Sequence, residues 1–201
     1  VITLLTSKTR SSLANAIAGS GYSLSVPKYL AWGIGAGDTQ SSDIGLFYPV
    51  GSPISGTVSV ITTSSSGDTF LSSTSLTSSG SYKITEVGLF DTNSSPAVGF
   101  LSSQVNPGDK TITISGYSRF PNTFPFFVQV YEEVMTVISG NGTNIFNVIR
   151  GSNGSSMLIT IIPSLTPVVG PAGNMFMKSS FPSISLAPGD GVQFNISVQF
   201  I

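Results

Sequence analysis

The run DGVQFNISVQFI, residues 190–201, constrains this chain more than any other stretch. Extended, it puts Val192, Phe194, Ile196, Val198 and Phe200 on one side and Gln193, Asn195, Ser197 and Gln199 on the other. That is a strand with one dry face and one wet face. The same period recurs at Val58 and Val60, at Ile112 and Ile114 in TITIS, and at Tyr22, Leu24 and Val26 before Pro27. Turn residues separate these runs: Asp91 to Pro96, Pro107-Gly-Asp109, Gly140-Asn-Gly142, Gly151 to Gly154 and Pro188-Gly-Asp190. Many short alternating runs with such punctuation predict an all-β fold, a β-sandwich or small barrels. One short helix is expected near the start, with Leu13, Ala16 and Ile17 on its apolar face, Ser11 or Ser12 as cap and Gly19 as stop. The serine-rich stretch from Thr62 to Ser81, interrupted by Phe70, Leu71 and Leu76, is expected to be a long loop or an edge hairpin.

Composition decides which functions to discard. The chain has 201 residues, enough for one or two domains, and only 8% are charged, with a net charge of -1. A typical soluble domain has about 25%. With 40% hydrophobic residues the chain should fold, and a nearly neutral surface of hydroxyls and amides favours assembly. The eight basic residues are scattered, so no nucleic-acid partner is expected. The apolar run from Met157 to Gly173 is broken by Pro163, Pro167 and Pro171 and predicts no membrane-spanning helix. The opening VITLLTSKTRSSL lacks the pattern of a signal peptide.

Catalytic, metal and cofactor readings find little support. There is no His and no Cys, which removes the common nucleophile and acid–base arrangements and thiolate metal sites. Glu132 and Glu133 are neighbours, so on a strand they point to opposite faces, one solvated and one paired with a basic group. The Asp residues are isolated and form no calcium loop. GIGAG, Gly33 to Gly37, has no βαβ setting for a dinucleotide and predicts a close backbone approach instead. N-x-S/T triplets at Asn93, Asn141, Asn153 and Asn195 are of the kind a chain rich in Asn and Ser produces by chance. An internal echo joins Phe100-Leu-Ser-Ser103 and NPGDKTITIS to Phe176-Met-Lys-Ser-Ser180 and APGDGVQFNIS.

PKYLAWGIGAGDTQSSDIGLF (27–47), KITEVGLFD (83–91) and MFMKSSFPSISLAPGDGVQFNISVQF (175–200) occur in this order. Together they resemble a family of tailed-bacteriophage structural proteins with K-Y-x-x-W/F-G-x-G, I-T-E-x-G-L-F-D and R/K-S-x-F-x-x-I-x-L-x-x-G-D-x-x-Q-F segments. The intervening FPNTFPFFVQVYEEVMTV (120–137) and FNVIRGSNGSS (146–156) resemble a second phage module, E-x-M-x-V followed by V-x-R-G-x-x-G-T, with Ser155 in place of the usual Thr. The resemblance implies a discontinuous first domain, residues 1–100 plus 172–201, interrupted by an inserted β-module at 101–171. It implies a non-enzymatic virion protein, foremost a capsid decoration or cement protein on the outer capsid surface. Its partners would be the major capsid protein and copies of itself in a homotrimer, with residues 1–10 available as an arm over a neighbour. The alternative is a baseplate, tail-tip or fibre component, glycan-binding if Trp32, Tyr29 and Tyr48 were exposed.

The family's closing segment has a basic residue where this chain has Lys178, which makes that side chain a candidate partner for Glu86 in KITEVGLFD. Glu86 is expected to pair with Lys178 or to cap a backbone turn, within its own chain or across a subunit boundary, because a carboxylate on an apolar strand face needs a partner. On a regular strand it would share a face with Tyr82, Ile84, Gly88 and Phe90. The structural or interface candidates are therefore Glu86, Lys178, Arg150, Glu132 and Trp32, with no catalytic, metal or cofactor residue.

Overall fold

A computed structural model describes residues 2–19, 25–140 and 142–200. The expected strand at Tyr22 and Leu24 and the Asn141 triplet lie outside these residues. The fold is all-β with one short helix.

The strands form a sandwich and a closed barrel. The large sheet of the sandwich has the order β1 (Ile2–Leu5), β13 (Met175–Leu186), β6 (Tyr82–Phe90), β2 (Tyr29–Gly33), β3 (Pro49–Ser55). Against it lies a small sheet of β14 (Gly191–Gln199), β5 (Thr69–Thr77) and β4 (Thr57–Ile61). Leu30, Val87, Leu89, Phe176, Met177 and Ile196 fill the space between them. The barrel closes in the order β10 (Glu133–Ser139), β11 (Ile145–Ile149), β8 (Thr111–Ser115), β7 (Val98–Leu101), β12 (Pro167–Val169), β9 (Phe126–Val130). Its own core includes Phe120, Phe126, Val128, Met135 and Phe146.

All barrel strands lie between β6 and β13, which pair with each other in the large sheet. Exit and return are stapled: the Asp91 carboxylate accepts from the Asn174 backbone N–H at 2.9 Å and from its side-chain amide at 2.7 Å. The barrel begins at Val98, ahead of the junction expected at residue 101.

Three local expectations change. The helix is α1 (Ser7–Ile17), capped by the Thr6 hydroxyl rather than by Ser11 or Ser12. It docks through hydroxyls, with Thr6 Oγ1 donating to Met175 O at 2.6 Å and Thr9 Oγ1 to Phe176 O at 2.8 Å, and it leaves Ile17 87% exposed. Residues 2–5 are no free arm, because β1 pairs antiparallel with β13 of its own chain. The serine-rich stretch contains β5, the central strand of the small sheet, because Phe70 and Leu76 supply apolar contacts while Ser72 and Thr74 are small enough to be buried beside them. The two PGD turns share one design: the Asp109 and Asp190 carboxylates each accept a backbone N–H, from Asn106 and Ala187, at 2.7 Å. The strands after them enter different units, β8 the barrel and β14 the small sheet, so the echo is a shared turn.

The β4–β5 loop has an anchor of its own. Backbone N–H groups of Ser65, Thr63 and Ser64 converge on the Asp68 carboxylate at 2.8–2.9 Å and hold its pKa well below the ordinary carboxylate range. A depressed folded-state pKa means that this ordering is present above the unfolded value of 3.8 and lost as pH falls through the lower folded one. Asp68→Asn is expected to speed amide exchange at residues 63–65 while leaving the barrel amides unchanged; equal protection in variant and parent would refute the anchor.

Candidate functional site

Lys178 on β13 is fully buried, and two carboxylates meet it: Asp43 Oδ2 at 3.0 Å and Glu86 Oε2 at 3.4 Å. These are ion-pair contacts between buried side chains. The ring of Phe47 covers the ammonium, its centroid 2.9 Å from Nζ. Asp43, Glu86 and Lys178 are at most 2% exposed, so the cluster is sealed from solvent.

The strand sequence brings Glu86 there through an irregularity. The β6–β13 register shifts between Ser180 and Ile184, opposite Glu86 and Ile84. Ile84 and Tyr82 then pack with Trp32, Leu76 and Leu186 inside the sandwich, while Phe90 packs with Ala31, Leu46 and Met175 on the other side. The single face expected for Tyr82 through Phe90 is split by this shift, and Glu86 points at the loop between β2 and β3. There it accepts backbone N–H groups from Gly35 (3.2 Å), Phe47 (3.0 Å) and Tyr48 (2.9 Å). One carboxylate thus both pairs with Lys178 and caps the two ends of residues 34–48, within one chain rather than across a subunit boundary. The GIGAG glycines allow it: a Cβ on Gly33 or Gly35 would overlap the Glu86 side chain.

Asp43 and Gln129 complete the cluster and join it to the barrel. Gln129 of β9 donates from Nε2 to Asp43 Oδ1 at 2.6 Å and to Tyr131 O at 2.9 Å. Its Oε1 accepts from Ile44 N at 2.9 Å and Gly45 N at 3.2 Å. All four capacities of a buried amide are used. Burial pushes the Asp43 carboxyl pKa up, against the opposing pull of Lys178, the Gln40 N–H and Gln129. Gln129→Ala would orphan these groups at once and should cost about 1–3 kcal/mol. Urea unfolding followed by Trp32 fluorescence and by barrel amide signals checks it; the two curves should also separate, and unchanged, coincident curves would refute the coupling.

The other candidates separate. Arg150 does not meet Glu132. It forms a two-pronged pair with Glu133, Nε to Oε1 at 2.6 Å and Nη2 to Oε2 at 2.7 Å, and Nη1 donates to Asn106 O at 3.2 Å. Glu133 is 0% exposed and also accepts from Gly151 N (3.0 Å) and Leu158 N (2.9 Å). Glu132 sits in the β9–β10 turn, half-buried, and among the described residues accepts from Asp38 N alone, at 3.1 Å. The E-x-M-x-V segment already points to Glu133, since the acidic position before Met135 is Glu133. No comparable signal marks Asp43 or Gln129. Trp32 is buried, edge-on to Tyr82 at 6.3 Å, and Tyr29 and Tyr48 are half-buried, so Trp32 offers no platform for a sugar.

Chemically, every carboxylate in these two clusters is taken up by backbone N–H groups or a buried cation. Among the described residues no group of three or more acidic side chains is placed to hold a metal ion. No helix among them is long and apolar enough to cross a membrane. No protein-family model matches the chain, and no curated protein is similar to it.

Proposed function

We propose that this chain is a non-enzymatic structural protein of a phage virion: a capsid decoration, or cement, protein that assembles with copies of itself and clamps neighbouring capsomers. The observation that carries this reading is the sealed Lys178–Asp43–Glu86 cluster. The residues that mark the phage-like segments, Glu86 in ITEVGLFD and Lys178 in MFMKSSF, meet where they lock the loop at 34–48 between sandwich and barrel. The carboxylates of the cluster are occupied by a buried cation, backbone N–H groups and the Gln129 amide, which suits a constructional role, and the cluster holds the loop at 34–48 that joins sandwich and barrel. The low surface charge favours a protein made to be packed among neighbours.

Quantitative mass spectrometry of purified particles tests this. A copy number of the same order as the major capsid protein is expected. A stoichiometry far below it, with immunogold label confined to the tail, would replace decoration by a baseplate, tail-tip or fibre role.

A further inference from the structure

We infer that β14 is a self-association edge: two copies of this chain pair their β14 strands antiparallel about a two-fold axis at Asn195, joining their small sheets into one. The inference rests on strand geometry and is independent of the virion reading.

The sandwich's other edges are guarded or short. β3 contains Pro49 and Pro53 and a left-handed Gly51. β13 beyond its pairing with β1 has Pro182 and the register shift. β1 has four residues and β4 five. Proline, irregularity and shortness are the devices that stop one sheet edge from adding another strand. β14 runs for nine residues with no proline, no charge and no register shift, and among the described residues it pairs only with β5.

The backbone parity of this edge follows from its two ends. Phe200 N donates to Asp68 O at 2.9 Å, and Ser78 N donates to Asp190 O at 2.8 Å. Both pairs obey the β14–β5 register, so even-numbered residues of β14 turn their N–H and C=O toward β5. The odd-numbered ones, Gly191, Gln193, Asn195, Ser197 and Gln199, turn theirs outward.

An antiparallel two-fold partner must match outward residues to outward residues. Centred on Asn195, the sequence does so without conflict: Gln193 falls opposite the partner's Ser197 and Gly191 opposite the partner's Gln199. On the inner face Val192 falls opposite the partner's Val198, and Phe194 opposite the partner's Ile196. Apolar side chains meet apolar ones on the face that covers the sandwich core, polar ones meet on the exposed face, and no charge meets its own copy. A ring built by setting β14 on β4 of the next copy is poorer, because the same parity leaves only Val58 and Val60 of β4 with outward backbone groups.

Analytical ultracentrifugation of the whole chain tests the proposal. The parent should reach twice its 20.8 kDa mass with rising concentration. Ser197→Pro removes one outward N–H and none of the bonds to β5, so it should weaken dimerisation by about tenfold or more with an unchanged circular dichroism spectrum. A second variant keeps the test decisive if that one folds poorly. The chain has no cysteine, and Asn195→Cys would place two thiols across the axis at a Cα separation of about 5.5 Å, within disulfide reach. It should cross-link to a dimer on mild oxidation. Ser75→Cys, exposed on β5, lies three strand spacings across and four residues along from its counterpart, roughly 20 Å away, and should not. A parent that stays monomeric up to millimolar concentration, a trimer, a dimer that Ser197→Pro leaves equally tight, or equal cross-linking of the two cysteine variants would overturn the proposal.

Discussion

Replacing Lys178 by Met is expected to destabilise the protein by about 3–5 kcal/mol, a fall of roughly 6–20 °C in Tm for a chain of this size. Methionine fills similar space, so the loss is electrostatic: Asp43 and Glu86 would remain buried near one another with no cation between them. The pH dependence identifies the cause. Burial already raises the Asp43 pKa, so the folded state holds that proton more tightly than the unfolded chain does. The associated stability is present below the unfolded value of 3.8 and lost as pH rises through the higher folded one. Without Lys178 this loss grows, and the variant should be more stable near pH 5 than near pH 8, by a wider margin than the parent. Adding Asp43→Asn should return part of the deficit, because Glu86 alone still has three backbone N–H partners. Thermal melts of parent, single and double variants at the two pH values check this. A single variant within about 1 kcal/mol of the parent would show that the cluster contributes little.

Glu133→Ala should cost about as much, roughly 3–5 kcal/mol, by a different route. Alanine leaves the Arg150 guanidinium, 6% exposed, without its two-pronged partner and orphans the N–H groups of Gly151 and Leu158. Residues 151–158 should open to proteolysis before the sandwich unfolds. Glu132→Ala, one residue away, should change stability by no more than about 1 kcal/mol, since that half-buried carboxylate holds a single backbone N–H. Urea midpoints and limited digestion of the two variants test the pair together; similar losses in both would contradict the assignment.

The strands with clear alternation were legible, and the closing one most of all: β14, β8 and β4 lie where Val192 to Val198, Ile112 and Ile114, and Val58 and Val60 alternate. β5 was not, because half of its inward positions are Ser and Thr, which read as loop and are buried only because Phe70 and Leu76 fix the strand between β14 and β4. The helix cap was missed because Thr6 and Thr9 find their partners on β13, some 170 residues away in sequence. Glu86 and Lys178 were nameable from the motif words they occupy. Asp43, an isolated acid in a polar loop, was not, and nothing about Gln129 distinguishes it from other amides in the chain.

By itself the sequence determined the class of the fold, the turns that punctuate it and the need of Glu86 for a partner, since period, turn residues and the cost of burying a charge are local matters. Tertiary structure alone decided which groups meet that charge. A register shift in β6 and β13 turns Glu86 away from the sandwich core, the loop at 34–48 brings Asp43 over Lys178, and Gln129 reaches in from the barrel. Each of these meetings spans 38 residues or more of chain, and a buried charge is satisfied by whatever donors the fold assembles in space.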